Sequence, residues 1–404
     1  MNLPIEKRQF GAEELLTGVP LHDAVQDAVN MRRKITIPWC LRQKRLWCIL
    51  LLPLTYLISQ AAMCFPSVTE AVYSRGIYPV FSFLFGFLTS LLPRSVSETM
   101  IFLLPVFFLV CLSRSIYRII RKKSERKQLL LRLVSSVLCA VSCTIFAFTA
   151  FCGLNYSRET FAVSSGLAVT PSLAEELQEL CIVLVAEANE LRAQLPENAE
   201  GVMVSGFASI DEAAGFARSA YGKLAEQYPS LSGYTPRPKP VYFSNAMSYL
   251  NITGIYIPFF FEANVNVDVS TYSIPATMMH ELSHFKGYMR EEEANFIAYL
   301  ACRESGNAEF AYSGTMLALQ NSLNALYKSD PERYSQVAVL ISDAVQRDRA
   351  ANSAYWRQFE GPAAKVSTRV NDVYLKTNRQ SEGVQSYGQM VDLLLADYRQ
   401  NISR

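Results

Sequence analysis

Three long apolar runs fill the first third of this chain and fix the solvent in which it must fold. Residues 46–65 read LWCILLLPLTYLISQAAMCF without a charge. Residues 99–120 read TMIFLLPVFFLVCLSRSIYRII, and 129–152 read LLLRLVSSVLCAVSCTIFAFTAFC with Arg132 near one end, where its long side chain can snorkel. A stretch of about 20 apolar residues matches the hydrocarbon thickness of a bilayer. In lipid only a helix, or a closed barrel, satisfies its own backbone. These runs are therefore expected to be transmembrane helices. A fourth run, IYPVFSFLFGFLTSLLP at 77–93, is shorter and broken by Pro79, Gly86 and Pro93.

Charge placement decides how the runs thread. Arg32, Arg33, Lys34, Arg42, Lys44 and Arg45 precede the first run. A second basic cluster from Arg114 to Lys127 lies between the second and third. The positive-inside rule puts both clusters in the cytoplasm. If 77–93 also crossed, the second cluster would fall outside. Three spans are therefore expected, with 77–93 a re-entrant or interfacial segment on the outer side, and everything after about residue 153 outside the cytoplasm. Ser95 and Glu98 have the spacing of a capping box that opens the second span. The first run lies too far into the chain, and lacks a small-residue cleavage site, to read as a signal peptide. Residues 1–45 are polar and expected to be cytoplasmic, with a short amphipathic helix and a surface His22. The expected organisation is 1–45 cytoplasmic, 46–152 transmembrane and 153–404 a folded extracytoplasmic domain.

The net charge of +2 offers no field for a polyanion, so nucleic acid is excluded as a partner. The nine cysteines contain no C-x-x-C pair. Cys139 and Cys143 share a helix face among apolar neighbours and read as packing residues; whether Cys181 and Cys302 pair is left open.

Beyond residue 153 the composition is that of a soluble domain. Thr170-Pro171 reads as the start of a helix to about 195, and Ser209 with Glu212 as the cap of another to about Tyr228. PRPKP at 236–240 is an extended connector. Strands are expected at 241–244 (VYFS), within 253–262 (TGIYIPFFFE) and at 265–269 (VNVDV), from their aromatic and branched content or their alternation. Pro275 starts a helix that stops near Gly287. Helices follow from Glu291 to about Cys302, from Asp330-Pro331, and over 363–376 and 386–398. The fold class is thus an α-helical membrane part, followed by a mostly helical α+β domain with a small sheet just before one particular helix.

That helix carries His280-Glu281-Leu282-Ser283-His284, an H-E-x-x-H string holding two of only three histidines in the chain. At i and i+4 the imidazoles share one helix face and can share one metal ion, with Glu281 placed to act as general base on a water there. A hydrolytic zinc site needs three protein ligands and an open position. Arg290-Glu291-Glu292-Glu293-Ala294-Asn295 follows at once, and Gly287 lets the chain turn back to aim a carboxylate at the pair. Three acidic residues also simply suit a helix N-terminus.

Glu291 begins an E-x-x-A-N pattern that resembles the second helix of glutamate-liganded zinc peptidases. The resemblance implies Glu291 as third ligand, ahead of Glu293 and Glu292. Two features depart from it. Only six residues separate His284 from Glu291, and the glycine three after His284 resembles the turn of the histidine-liganded class, whose third histidine is here Arg290. Asn295 is suited to holding a ligand in place, or to a packing hydrogen bond. FIAYLA at 296–301 reads as core.

HELSHFKGYMREEEANFIAYLAC, with GIYIPFFFEANVN upstream and YLKTNRQSEGVQSYGQMVDLLL downstream, resembles an uncharacterised bacterial domain-of-unknown-function family. Its members are multi-span, zinc-peptidase-like membrane proteins, and the likeness covers roughly residues 45 to 398. It implies a zincin-like domain and a Zn2+ site but no established substrate. Glu262, Asn264 and Asn266 stand where zinc peptidases place a substrate-pairing edge strand, or in a polar turn between strands. Among Arg379, Ser386 and Tyr387 in the late polar string, Tyr387 is the candidate for stabilising an oxyanion.

The expected function is a membrane-anchored zinc metallopeptidase of the cell membrane, with lipid and a peptide or protein near the membrane as its partners. A non-catalytic metal-binding sensor or scaffold of the cell envelope is the alternative; a retained Glu281 argues against it, since a structural site needs no base. The motif lies far beyond the last span, in a charged helix, which argues against an intramembrane protease.

Overall fold

The computed structural model describes residues 44–378 and 389–402. Four helices in its N-terminal part are long and apolar enough to cross a membrane, and are thus compatible with membrane association. A 3-10 segment leads into α1 (Leu51–Cys64), which is followed by α2 (Pro66–Ser90), α3 (Val96–Arg121) and α4 (Arg126–Phe151). Their Leu, Val and Phe side chains face outward; Phe107, for example, is 60% exposed. A surface of that kind calls for an apolar medium or partner.

α2 is longer than the run at 77–93 suggests. It opens on Pro66, whose missing N–H costs a first helical turn nothing, and passes through a π-helical stretch at Thr69–Ile77. One side of α2 lies on the globular part along much of its length. Near its start, Glu70 pairs with the buried Arg158 at 2.7 Å. In its middle, Tyr78 Oη donates to the Phe285 carbonyl at 3.0 Å. At its end, the Thr89 carbonyl accepts from Lys239 Nζ at 2.7 Å. The change of composition at residue 153 is therefore crossed by packing.

The globular part is built from α5 (Ala174–Arg192), α6 (Ile210–Gln227), α7 (Ile274–Phe285), α8 (Glu291–Arg303), α9 (Ala308–Ser329), α10 (Pro331–Ala338), α11 (Asp343–Arg357), α12 (Pro362–Thr377) and α13 (Gln389–Ile402). Leu184, Leu224, Met278, Leu282, Phe296, Leu300, Phe310, Leu319 and Leu394 meet in one buried core. The FIAYLA segment lies in α8, and all of its residues but Tyr299 are wholly buried there. Cys181 and Cys302 are both buried free thiols.

Capping chemistry starts several helices as their sequences predict. Ser95 Oγ accepts from Glu98 N, Ser209 Oγ from Glu212 N, and Asp330 Oδ1 from the Glu332 and Arg333 amides. Glu98 does not reach back to Ser95; its carboxylate takes the amides of Tyr242 and Phe243. α5 begins three residues beyond Pro171, and Thr170 instead accepts from Arg399.

The sheet has three short strands in the order β1 (Lys239–Pro240), β3 (Glu262–Val265), β2 (Gly254–Ile257). β1 pairs parallel to β3, and β2 antiparallel with Gly254 opposite Val265. The strand expected at 241–244 is absent: the end of the PRPKP connector makes the pairing, and Ser244–Tyr249 is helical. TGIYIPFFFE splits into β2 and β3, because Pro258 cannot extend a ladder and Phe261 has a positive φ of 50°. Of VNVDV only Val265 is strand. Beyond it, Asn266 Nδ2 donates to Ser248 Oγ and the Ile252 carbonyl.

Glu262 fastens the apolar helices to this sheet. Its buried carboxylate accepts from Ser97 N at 2.8 Å, Ser97 Oγ at 2.7 Å and Val96 N at 3.1 Å, which are donors at the start of α3 where the helix dipole favours a negative charge. A further donor is Lys239 Nζ at 2.5 Å, which also donates to the Thr89 and Arg94 carbonyls. Removing one member of such a pair strands a buried charge. Glu262→Ala is therefore expected to cost about 3–5 kcal/mol, against about 1 kcal/mol for Glu98→Ala, in denaturant unfolding of the detergent-solubilised full chain.

Candidate metal centre

α7 ends in a left-handed turn. The Tyr288 amide donates to the Ser283 carbonyl, the Gly287 amide donates to the His284 carbonyl, and Gly287 has a φ of +89°. This pair of hydrogen bonds is a usual way to satisfy a helix C-terminus, and it favours glycine at the left-handed position. A Cβ there would also lie 2.9 Å from Asn155 Nδ2 and 3.2 Å from Arg158 Nη1. The reversal lets α8 start at Glu291, immediately beside the last turn of α7.

The result is a tight cluster. His280 Nε2 lies 3.2 Å from Glu291 Oε2, and His284 Nε2 lies 3.7 Å from Glu291 Oε1. One ligand atom from each of the three residues falls within 4.8 Å of the others. The far ring nitrogens are tied down. His280 Nδ1 meets Asn295 Oδ1 at 2.8 Å, and His284 Nδ1 meets the Tyr288 carbonyl at 2.8 Å. Both acceptors demand a proton on Nδ1, so they fix each ring and leave Nε2 to face the common point. Asn295 thus holds the His280 ring in place.

Burial governs the charges. It lowers His284 to about 4, so that ring is neutral and its lone pair is available. Burial also works to lower His280, but Glu291, helped by Glu281 and Asn295, outweighs it and raises that group to about 9. His280 and Glu291 thus hold a proton between them, and a divalent cation would take that proton's place. Two imidazole nitrogens and one carboxylate are a donor set that suits zinc. Of the other acidic candidates, Glu293 is committed elsewhere: its Oε1 accepts from Phe161 N at 2.7 Å and from Arg290. Glu292 is buried, is raised to about 7 chiefly by that burial, and lies outside the cluster.

Glu281 is buried beside the cluster, and burial raises it to about 8, with Glu291 adding to the effect. Its Oε2 has no hydrogen-bond partner. An unpartnered buried carboxylate oxygen has an unmet demand for a donor, which a water would meet. The carboxylate packs against β2: a Cβ on Gly254 would collide with Glu281 Oε1 and lie 2.7 Å from Thr277 Cγ2, and the Tyr256 backbone hydrogen-bonds to the carboxylate.

The polar residues of the upstream strand do not face this point. Glu262, Asn264 and Asn266 are all at most 2% exposed. β3 is the middle strand, paired on both sides, so it is no edge on which a peptide can pair. Glu262 is spent on α3 and Lys239, Asn264 accepts from Ser95 Oγ, and Asn266 holds Ser248 and Ile252. The edge strand beside Glu281 is β2. Tyr387, with Arg379 and Ser386, lies outside the described residues, as does residues 1–43 with His22.

Two tyrosines do approach the cluster. Tyr156 Oη donates to Tyr374 Oη at 3.1 Å. Burial raises both phenols above their ordinary value, and the Glu291 carboxylate adds to it. Tyr374 opens the YLKTNRQ string and was within reach of sequence reasoning; nothing around Tyr156 marks it. Arg158 was also without a signal. It stacks 3.9 Å over the Tyr288 ring and donates to the Lys286 carbonyl, which braces the turn that orients His284. Cys48, Cys139 and Cys143 also bring three ligand atoms together. Cys48 lies in the 3-10 segment before α1, and Cys139 and Cys143 lie one turn apart in α4.

Fold and site together define a mostly helical protein with apolar N-terminal helices and a partly buried two-histidine, one-glutamate cluster. The family model for a protein of unknown function, DUF3810, matches residues 73–395, and the chain belongs to this family. No curated protein and no solved structure matches it.

If the cluster holds zinc, His280→Ala, His284→Ala and Glu291→Ala should each abolish stoichiometric binding in a titration against a chelator, while Glu292→Ala leaves it intact. Asn295→Ala should weaken binding by about 10–100-fold without abolishing it.

Proposed function

We propose that this protein is a membrane-anchored zinc metallopeptidase whose site is His280, His284 and Glu291, with Glu281 as general base. The observation that carries the proposal is the convergence of three ligand atoms beside a buried carboxylate oxygen that has no partner. Bound zinc would supply polarisation of the peptide carbonyl and acidification of water. Glu281 would take a proton from the attacking water and pass it to the leaving amine. β2 offers the peptide an edge. Residues alternate along a strand, and Gly254 and Tyr256 turn their backbone groups away from β3 and toward the site. Tyr374, whose hydroxyl accepts from Tyr156 and so keeps its own proton to donate, is a described hydroxyl suited to stabilising the oxyanion.

The membrane arrangement we propose has three spans, α1, α3 and α4, with α2 on the outer surface. Contacts of α2 with the globular part near its start, middle and end support this, because a crossing helix could touch it only near one end. The two basic clusters then lie in the cytoplasm and the site outside it.

Zinc-loaded full chain in nanodiscs should cleave a quenched-fluorescent peptide library. Glu281→Gln should keep its zinc and lose about 10²–10⁴-fold in rate. Absence of hydrolysis in the zinc-bound wild type, or an unimpaired variant, would favour a non-catalytic metal site. Gly254→Val should also retain zinc, yet displace the Glu281 carboxylate and lower kcat/KM on the order of 10²-fold.

A further inference from the structure

α12 carries an apolar stripe that the fold does not use. Val366 and Val370 are each 62% exposed, Val373 is 58% exposed, and Tyr374 follows at 39%. Their spacing of i, i+4, i+7 and i+8 sets them on one face. The helix meets the protein through a different face, by Leu375, which is wholly buried, and the half-buried Ala364 and Ser367. Among the described residues nothing covers the valine stripe. Lys365, Arg369 and Lys376, all exposed, run along one border of it, and Lys376 pairs with Asp372 at 2.8 Å.

The position of α12 says what the stripe meets. Its C-terminal turn sits where two of the apolar helices end. The Tyr374 ring packs edge-on against Phe148 of α4, with centroids 6.2 Å apart. A small cavity of about 140 Å³ there is lined by Ser59 of α1, Phe148 and Thr149 of α4, and Thr377 and Asn378. The stripe therefore continues the exposed apolar surface of α1 and α4 at its outer rim. With three of its side chains basic, α12 is too polar to enter the hydrocarbon core. An apolar stripe bordered by lysine and arginine is the pattern of a helix lying in the plane of the membrane interface, its apolar side in the acyl boundary and its cations among the headgroups.

We infer that α12 is an interfacial helix that docks its Val366–Val370–Val373 face into the outer leaflet. The inference rests on the membrane placement of α1, α3 and α4 proposed above and is independent of the zinc chemistry. Docking by this face would also hold Tyr374, and with it the side of the candidate site that bears Glu291, at the lipid surface.

The test is site-specific photocrosslinking of the full chain, reconstituted in vesicles of phosphatidylcholine and phosphatidylglycerol. Benzoylphenylalanine replaces Val370, Thr368 on the polar side of α12, or Phe107 in the middle of α3. All three side chains are exposed, so the replacements leave the core untouched. The expected result is lipid adducts at 107 and 370, with a several-fold loss of adduct at 368. Adducts at 107 but none at 370, or adducts at 370 joining two copies of the chain, would overturn the inference while leaving the membrane placement standing. No lipid adduct at 107 would overturn both.

Discussion

The reversal at Gly287 is the constraint on which the site depends. A helix bearing two imidazoles on one face is half of a metal site. The other half must arrive from the same side within a few residues, and only a left-handed stop accomplishes that in so short a connection. The stop is held from outside as well: Asn155 and Arg158 leave no room for a side chain at Gly287, and Arg158 stacks on the next residue, Tyr288. Because the Tyr288 carbonyl receives the His284 ring N–H, the turn that brings Glu291 round also orients the histidine it faces. One local geometry thus serves both helix termination and ligand alignment.

Arg158 extends that dependence to the apolar helices, since its guanidinium pairs with Glu70 of α2 while donating to the Lys286 carbonyl. At the other end of α2, Lys239 and Glu262 join the α2–α3 connection to the sheet, and the same sheet presents Gly254 to Glu281. The candidate site therefore lies between two buried ion pairs: Arg158–Glu70 joins the apolar and globular regions directly, and Lys239–Glu262, within the sheet, joins them through its hydrogen bonds to Thr89, Arg94, Val96 and Ser97. Buried pairs of this kind contribute less to net stability than to uniqueness of arrangement, which suits a site whose supporting turn and strand are each held against the apolar helices.

Much of this was legible in the sequence because it is local. The spacing of His280, Glu281 and His284, the glycine that stops α7, the acidic start of α8 and the caps at Ser95, Ser209 and Asp330 are each decided within a few residues. What was not legible depends on distant partners. Glu262 and Asn264 alternate like residues facing a ligand, yet β3 became a middle strand because Lys239–Pro240, from a proline-rich connector, pairs with its far side. α9 escaped notice because Phe310, Tyr312, Gly314, Met316 and Leu319 are buried on nearly every side, which erases the helical period. Tyr156 approaches Glu291 across more than a hundred positions, and no pattern around it marks the meeting.

X-ray absorption at the zinc edge, on the purified full chain, tests the central claim most directly, because it reads the ligand set without requiring a substrate. Bound zinc is expected in a shell of nitrogen and oxygen at about 2.0–2.2 Å, with the multiple-scattering signature of two imidazoles. A shell containing sulfur, at about 2.3 Å, would move the metal to cysteine ligands, and the absence of bound zinc would leave His280 and Glu291 as a proton-sharing pair; either result contradicts the account.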